Sequence, residues 1–366
     1  MDWNFLCKRN YWRENKHNKS KHSLSNDSQT TTESDASLVK KNSDGTPVVH
    51  VDHLVKKFGP DKIAVNDVSF DLYENQITSL LGPNGSGKTT IFNCLIGICK
   101  QTSGTITMES TNGMDYDTRN NIDMLRKSIG YCPQHDILFD LLTIEEQIQF
   151  YATARGFGKN KQQISNELLR LVNLESYKDL YRNSLSGGMK RRLSLACAFV
   201  GDTKIVLLDK PTTGVDPNAR QQMQEIFLNA VKAKLTLILT SHSMDECERV
   251  CNRLGIMTNG QLACLGTIQH LKSKFGRGHT LEIKTYTDPN DTADEKMKRI
   301  QSFLLSQTHY NIQMKEITES TGIFQIGKGV PADLFELIEQ NRKEFNIETY
   351  TITQTTLEQI FLSLEK

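Results

Sequence analysis

Gly82-Pro83-Asn84-Gly85-Ser86-Gly87-Lys88-Thr89-Thr90 is the stretch that decides the fold of this 366-residue chain. Residues 82–89 form the phosphate loop, since they fit the pattern G-x-x-x-x-G-K-[ST]. The apolar run Ile77–Leu81 before the loop predicts a buried strand, and a helix is expected over 88–98. The glycines would let backbone N–H groups face a phosphate at the positive end of that helix. The stretch therefore predicts a bound nucleoside triphosphate, with the Lys88 ammonium on its β- and γ-phosphates and the Thr89 hydroxyl on Mg²⁺.

Strand and helix patterns alternate from Val48 to about Phe275, which is typical of parallel sheets. Apolar runs over 204–209 and 235–240 predict two further buried strands. A mostly helical insert, about 143–200, separates the phosphate loop from these two runs. The pattern predicts an α/β fold in which a parallel-sheet core carries a helical subdomain.

A second candidate for phosphate binding, Leu185-Ser186-Gly187-Gly188, opens a predicted helix within the insert, 97 residues after Lys88. Ser186 and the unhindered glycine N–H groups would favour an anion at the N-terminus of this helix. The separation in sequence argues against the chain's own phosphates, so we expect these residues to close on ATP held by a second copy of the domain. The simpler alternative is a capped helix without a ligand.

Three side chains at predicted strand ends are candidates for the metal and the hydrolytic water. Asp209 ends a strand of four apolar residues and would reach the Mg²⁺ shell, usually through water. Gln134 follows Tyr131-Cys-Pro and would contact Mg²⁺ and the attacking water. His242 would hydrogen-bond the γ-phosphate, and Ser243-Met-Asp-Glu246 after it predicts a capping box. Structural roles remain the alternative for each.

Two further residues are candidates at the edges of the site. Asp216-Pro217 combines a favoured N-cap with a favoured first helical residue, and Asp216 is expected near a junction between subunits. Phe58 precedes Gly82 by 24 residues, where an aromatic ring could stack on adenine. A phenylalanine of the hydrophobic core is the competing interpretation.

The composition restricts the classes of partner and compartment. The net charge is +1, so no overall field draws the chain to nucleic acid, and none is expected as a partner. No apolar run approaches the ~20 residues of a membrane span. The eight cysteines are scattered without a matching second pair for a metal, which predicts reduced cytosolic thiols.

The two ends of the chain differ from its centre. Residues 1–46 are basic and then rich in Ser and Thr, which predicts a disordered, solvated tail, or alternatively a segment attracted to anionic lipid. A small α+β domain is expected over 277–366, with a regulatory or packing role. Its predicted strands are 281–285 and 347–352, its helices 292–306 and 331–341, and its last helix has Leu357, Ile360, Phe361 and Leu364 on one apolar face.

In this order, the motifs resemble the nucleotide-binding domain of an ATP-binding cassette (ABC) transporter over about 48–275. The resemblance implies a P-loop NTPase core of ABC type over 47–276, with a parallel sheet, an antiparallel β subdomain and a helical subdomain. A C-terminal regulatory domain over 277–366 is also implied. The likeness narrows to the A subfamily, typically lipid exporters, through Tyr73-Glu-Asn-Gln-Ile-Thr78, Cys132-Pro-Gln-His-Asp-Ile-Leu-Phe139, Thr240-Ser-His-Ser-Met-Asp-Glu-Cys247 and Gln354-Thr-Thr-Leu-Glu-Gln-Ile-Phe361.

The resemblance also implies cofactors, partners and a place in the cell. ATP and Mg²⁺ would lie at the interface with a second nucleotide-binding domain. The transmembrane part would be on another chain or missing from this one, which would put this domain on the cytoplasmic face of a membrane. A helix of that part would dock on the segment after Gln134, which contains Ile137, Leu138 and Phe139.

One position departs from the family's pattern. The family has a glutamate directly after the aspartate that corresponds to Asp209, and this chain has Lys210 there. That glutamate is the expected general base for the attacking water, and a protonated lysine cannot accept a proton. Because losing a positioned base lowers the rate about 10²–10⁴-fold, we expect a site that binds ATP and hydrolyses it slowly. A cation at this position could attract the γ-phosphate or repel Mg²⁺.

Several alternatives stay open. Lys210 could mark a decaying copy, or a degenerate site whose residues 185–188 still complete the site of an intact partner. The chain could also be a non-hydrolysing regulator that binds ATP and pairs with a relative. A soluble ATPase acting on ribosomes or DNA is disfavoured, because the chain has one cassette, no sustained heptads and no strong basic face.

Overall fold

The computed structural model describes residues 47–110, 113–276, 278–286, 293–307, 311–318, 320–327, 331–354 and 356–364. The predicted basic tail, 1–46, lies outside them. The chain divides into two compact units, one ending at Leu265 and the other beginning at Gly266. Among the described helices, none is both long and apolar enough to cross a membrane. No disulfide joins the cysteines of the described residues.

The first unit contains two sheets. The central sheet has the order β10-β9-β3-β8-β7-β6, and β3 pairs in parallel with β8 and β9, as β7 does with β6 and β8. The second sheet is antiparallel, in the order β2-β1-β4-β5. The strands are β1 (Pro47–Lys57), β2 (Ile63–Tyr73), β3 (Ile77–Leu81), β4 (Ser103–Glu109), β5 (Asp115–Asp117), β6 (Ile129–Cys132), β7 (Ile205–Asp209), β8 (Thr236–Ser241), β9 (Arg253–Thr258) and β10 (Gln261–Thr267).

The helices of this unit lie on both faces of the central sheet. They are α1 (Lys88–Leu95), α2 (Ile122–Ser128), α3 (Ile144–Ala154), α4 (Lys161–Leu171), α5 (Gly187–Phe199), α6 (Pro217–Lys232) and α7 (Met244–Val250). The three helices α3, α4 and α5 pack together and form the predicted helical subdomain. The first helix is shorter than predicted, because Gly97 adopts a left-handed φ of 70° and ends it before residue 98.

Alternate residues of the central strands belong to two different cores. In β7, Val206 and Leu208 pack among the helices α3–α6, whereas Ile205 and Leu207 pack with α1 and the antiparallel sheet. Both faces of the sheet are therefore buried, which explains the continuous apolar run over residues 205–208 in the sequence.

The second unit contains an antiparallel sheet in the order β12-β13-β11-β14. From β11 to β14 the elements follow the order βαββαβ, a ferredoxin-like arrangement. The strands β12 and β13 were not among those predicted. As predicted, the last helix buries Leu357, Ile360 and Phe361. The elements are α8 (Ile268–Phe275), β11 (His279–Thr285), α9 (Ala293–Gln307), β12 (Ile312–Ile317), β13 (Thr321–Ile326), α10 (Pro331–Gln340), β14 (Ile347–Gln354) and α11 (Leu357–Leu364).

Candidate nucleotide-binding site

The predicted site residues converge because parallel strands end at one edge of the central sheet. Leu81, the last residue of β3, pairs with Ser241 of β8, and Asp209 of β7 pairs with Thr240. The phosphate loop, the β7 end and His242 therefore leave the sheet side by side. Ligands of open α/β sheets bind at this carboxyl edge.

The glycines of the phosphate loop are required by its backbone and its neighbours. Gly85 and Gly87 have φ values of 86° and 100°, which residues with a side chain rarely adopt. A Cβ on Gly82 would lie 2.3 Å from the Met257 carbonyl oxygen, and one on Gly87 would lie 2.4 Å from that of Ala64. The loop can thus curl around a phosphate only with glycine at these positions.

Lys88 is buried within the phosphate loop. Its Nζ donates to the carbonyl oxygens of Gly82 (2.8 Å) and Pro83 (2.7 Å) and lies 3.1 Å from Ser86 Oγ. Burial, and secondly the charge of Lys210, lower the pKa of Lys88 to about 8, against the opposing effect of Asp209. Because all three acceptors belong to the loop itself, the ammonium is held where a phosphate in the loop would meet it.

Two oxygen ligands suited to a magnesium ion lie beside the loop, the Thr89 hydroxyl and the Asp209 carboxylate. The Thr89 hydroxyl donates to Asp209 Oδ1 at 3.4 Å, and the Thr240 hydroxyl donates to the same oxygen at 2.6 Å. Mg²⁺ prefers such hard oxygen ligands and is usually bound by one or two carboxylates plus substrate phosphates and water. The described residues contain no cluster of three or more His, Cys, Asp or Glu side chains able to hold a metal. Any Mg²⁺ here would therefore depend on phosphate oxygens as well.

Lys210 reaches from β7 to the phosphate loop. Its Nζ donates to Asn84 Oδ1 at 3.0 Å, and its backbone N–H donates to Thr240 Oγ1 at 2.9 Å. Its φ is 45°, in the left-handed region that is uncommon for a residue other than glycine. The position that departs from the family's pattern thus places an ammonium group on the loop that would hold the phosphates.

Arg191 was missed by the sequence analysis, yet its guanidinium joins the loops after β6 and β7. This buried side chain, on α5, donates to the carbonyl oxygens of Pro133 (2.6 Å) and Pro211 (2.6 Å) and to Asp136 Oδ1 (2.9 Å). It also donates to the carbonyl oxygens of Asp209 (2.9 Å) and Lys210 (3.1 Å). The signal was available, because position 191 lies three residues after the buried Gly188 and four before Leu195, on the buried face of the helix.

The Leu185–Gly188 segment begins α5 as predicted. The Ser186 side chain caps the helix by accepting from Met189 N at 3.3 Å, and Ser186 and Gly187 are exposed. A Cβ on Gly188 would lie 3.1 Å from Ala219 Cβ and 3.3 Å from Asp216 Oδ2. Asp216 caps α6 through Ala219 N at 2.9 Å, as its position before Pro217 predicts. The two helix starts therefore lie next to each other.

Gln134 and His242 leave the same edge of the sheet after β6 and β8, and both side chains are exposed. Phe58 follows β1 and is 46% exposed, with Lys56 Nζ 4.9 Å from its ring centre, so the interpretation as a core phenylalanine is wrong.

The predicted capping box at Ser243 forms only in part. Ser243 Oγ accepts from Glu246 N, but the Ser243 N–H donates to Ser241 Oγ, and the Glu246 carboxylate accepts from the same hydroxyl.

Comparison with known proteins identifies the family. Residues 65–213 match the family model described as ABC transporter. The glucosylceramide transporter ABCA12 of Mus musculus is 38% identical over 305 residues, 83% of this chain and 11% of that protein. The retinal-specific phospholipid-transporting ATPase ABCA4 of Bos taurus is 36% identical over 323 residues, 88% of this chain and 14% of that protein. The chain belongs to the ABC transporter family.

The resemblance to the A subfamily is thereby confirmed, and this ABC chain spans about a tenth to a seventh of the length of those two relatives. Among solved structures, cbiO1 from Clostridium perfringens, part of the ABC transporter complex cbiONQ, matches with a TM-score of 0.57 and 26% identity. The match covers 62% of this chain and 91% of that one. It confirms the predicted α/β fold of ABC type.

Proposed function

We propose that this chain is the nucleotide-binding cassette of an A-subfamily transporter, which binds ATP with Mg²⁺ and drives the movement of lipid across a membrane. The observation that carries the proposal is the convergence of the phosphate loop, the buried Lys88 and the Thr89–Asp209 pair at one sheet edge. The lipid substrate is inferred from the names of the two relatives, a glucosylceramide transporter and a phospholipid-transporting ATPase.

The cassette is proposed to work as a pair. Ser186 and Gly187 are exposed at the start of α5, and their free face can be offered to ATP on a second cassette. Asp216, beside Gly188, would lie at the junction of the two cassettes. Phe58 is exposed directly after β1, which supports its proposed role of stacking on adenine.

A transmembrane part is the second proposed partner, and it would place the cassette on the cytoplasmic face of a membrane. The exposed apolar cluster consists of Ile137, Phe139, Leu141 and Phe150, whose side chains are 43–88% exposed, with the two phenylalanine rings 5.0 Å apart. Beside it lies a groove of about 370 Å³, lined in part by Ile98, Tyr131 and Ile137. Exposed apolar side chains grouped beside a groove support docking of another segment.

We further propose that hydrolysis at this chain's own site is slow. Bound Mg²⁺ would neutralise phosphate charge, and Thr89 and Asp209 are the residues that would hold it. Gln134 would orient the attacking water, and His242 would hydrogen-bond the γ-phosphate. The Lys210 ammonium has no lone pair with which to accept a proton from that water, so the general-base contribution of about 10²–10⁴-fold is lost.

The second candidate function is an ATP-binding regulator, or a degenerate copy, that pairs with an intact cassette. Lys210 favours it, because the residue impairs catalysis and leaves the α5 start unchanged. Under this alternative, residues 185–188 would complete the partner's site. ATP-dependent pairing without turnover would distinguish the regulator from the transporter ATPase.

The test is Mg-ATP turnover of the purified chain beside its Lys210→Glu variant, with the mass of the pair followed by light scattering. We expect a wild type that binds ATP and turns it over slowly, and a variant that gains about 10²-fold or more. Equal rates in both proteins would contradict the general-base argument. Absence of nucleotide binding in both would refute the cassette function.

A further inference from the structure

Hydrogen bonds to the rest of the fold fix the backbone of Lys210, and thereby the position of its ammonium group. The backbone N–H of Lys210 donates to Thr240 Oγ1, and its carbonyl oxygen accepts from Arg191 Nη2 at 3.1 Å. Both partners are buried. With its backbone held on two sides, the side chain extends to Asn84 Oδ1 in the phosphate loop, 3.0 Å from Nζ.

Two ammonium groups therefore contact adjacent residues of the same loop. Lys88 Nζ contacts the carbonyl oxygens of Gly82 and Pro83, and Lys210 Nζ contacts the side chain of Asn84. Lysine is a common phosphate-binding residue and acts as a compact point charge. Two cations thus lie against the loop, whereas the ordinary phosphate-loop pattern supplies one.

The charges of the groups around the loop show how Lys210 changes the net charge of the site. Lys88, Asp209 and Lys210 together carry one positive charge. With a glutamate at position 210, the same three groups would carry one negative charge, and binding of Mg²⁺ would raise that to one positive charge. Arg191 and Asp136 pair with each other and cancel. Without any metal, Lys88, Asp209 and Lys210 therefore have the same net charge that the site would have with a glutamate at position 210 and a bound Mg²⁺.

We propose that Lys210 makes this a metal-sparing site, which binds the polyphosphate of a nucleoside triphosphate through Lys88 and Lys210 with little dependence on Mg²⁺. The inference rests on the proposed function, since it assumes that the phosphate loop binds a nucleotide. It adds that the ammonium of Lys210 supplies the positive charge that the divalent ion otherwise supplies.

The experiment measures the Kd of a fluorescent ATP analogue in excess MgCl₂ and again in excess EDTA. The proteins are the wild type, Lys210→Glu, Lys210→Gln and a control, Lys232→Glu. The control changes the charge by the same amount on an exposed residue at the far end of α6. Far-ultraviolet circular dichroism and thermal unfolding establish that each variant is folded.

For the wild type and the control, we expect Kd to change less than about threefold on removal of Mg²⁺, because a local cation remains beside the phosphates. For Lys210→Glu, we expect at least about a tenfold loss in EDTA, since two acidic groups then face the polyphosphate. Lys210→Gln should fall between them.

A wild type that loses as much affinity in EDTA as Lys210→Glu overturns the metal-sparing site and leaves the proposed function standing. A wild type and a Lys210→Glu variant that both fail to bind the analogue in MgCl₂ overturn the proposed function and this inference together. The two failures are distinguished by binding in MgCl₂ alone.

Discussion

Gly87 shows how closely one residue of the site is constrained. Its φ is 100°, and an added Cβ would lie 2.4 Å from the Ala64 carbonyl oxygen. Gly156 has a similar φ of 91°, with nothing within 4 Å of an added Cβ. Substitutions at the two glycines therefore distinguish the cost of a left-handed backbone conformation from the cost of a steric contact.

We predict that Gly156→Ala lowers the free energy of unfolding by about 1–2 kcal/mol, the ordinary effect of a left-handed residue with a side chain. Gly87→Ala should lose at least about 1 kcal/mol more, because backbone atoms must shift apart. Urea unfolding of both variants measures the difference. Equal losses of stability in the two variants would show that the backbone at Ala64 can move away from the added Cβ without a cost in free energy.

The pKa of Lys88 predicts how nucleotide affinity depends on pH. Burial and the charge of Lys210 lower this pKa to about 8, so the ammonium is present below that pH and is lost as the pH rises through it. A phosphate favours the charged form, so we expect a constant affinity below pH 8 and a falling affinity above it. In Lys210→Glu, the fall should begin at a higher pH, because the positive charge of Lys210, which lowers the pKa of Lys88, is removed.

Titrations of the fluorescent ATP analogue at a series of pH values measure this dependence. Lys88→Gln is the matched control, since it has no charge to lose and should bind weakly without a step near pH 8. An unchanged midpoint in Lys210→Glu would contradict the electrostatic coupling between the two lysines.

Individual residues of the site were predictable where a motif specified them. The phosphate-loop residues and Asp209 lie together as the pattern implies, because strand ends and a following helix are local features. Arg191 was not predicted, because its role depends on carbonyl oxygens supplied by two loops that lie at different distances along the chain. A pattern of residue types does not record carbonyl positions.

At the scale of elements, Arg191 connects α5 with the loops after β6 and β7. Its side chain donates to five oxygen atoms, and lysine has only three donors to offer. We predict that Arg191→Lys lowers the free energy of unfolding by about 2–5 kcal/mol, since at least two of these buried or partly buried acceptors lose their donor. It should also weaken nucleotide binding, because the β7 end is no longer held.

Arg192→Lys is the control for this prediction. Arg192 donates through one nitrogen to the carbonyl oxygens of Val172 and Asn173, and a lysine can replace that nitrogen. We expect its loss of stability to stay below about 1 kcal/mol. Thermal and urea unfolding compare the two variants, and similar losses would contradict the special position of Arg191.

The elements of the central sheet were predictable because both faces of each strand are buried. The apolar run of β7 stands out in the sequence for this reason, and all five residues of β3 are buried as well. The strands β12 and β13 are different, since Ile312 is the one buried residue of β12 and the buried residues of β13 alternate with half-buried ones. β13 pairs with β11, which is distant in sequence, and β12 pairs with β13 at the edge of the sheet, so local patterns do not reveal the sheet to which the two strands belong.

At the scale of the whole molecule, the exposed apolar cluster is the feature that the fold of one chain does not explain. Ile137 and Leu141 are 65% and 88% exposed, and Leu138 between them is buried. We predict that Ile137→Ser and Leu141→Ser change the free energy of unfolding by less than about 0.5 kcal/mol. Leu138→Ser should lower it by about 2–5 kcal/mol, because it removes a core side chain.

Urea unfolding of the three variants tests whether the cluster is surface or core. Comparable losses in all three would show that Ile137 and Leu141 stabilise the cassette itself, and the proposed docking surface would then lose its support. Nucleotide affinity should be unchanged in Ile137→Ser and Leu141→Ser.

The division of β7 between two cores has a consequence for how this protein family can diverge. Val206 and Leu208 face one core, and Ile205 and Leu207 face the other. Deleting or inserting one residue in β7 would turn the side chains on one side of the change to the opposite face, and would put residues of each set into the wrong core. The length of β7 is therefore fixed by the packing of its two faces, whereas position 210 follows the strand and its side chain belongs to neither core. A substitution at position 210 can therefore change the chemistry of the site without disturbing either core, whereas a change in the length of β7 would disrupt both.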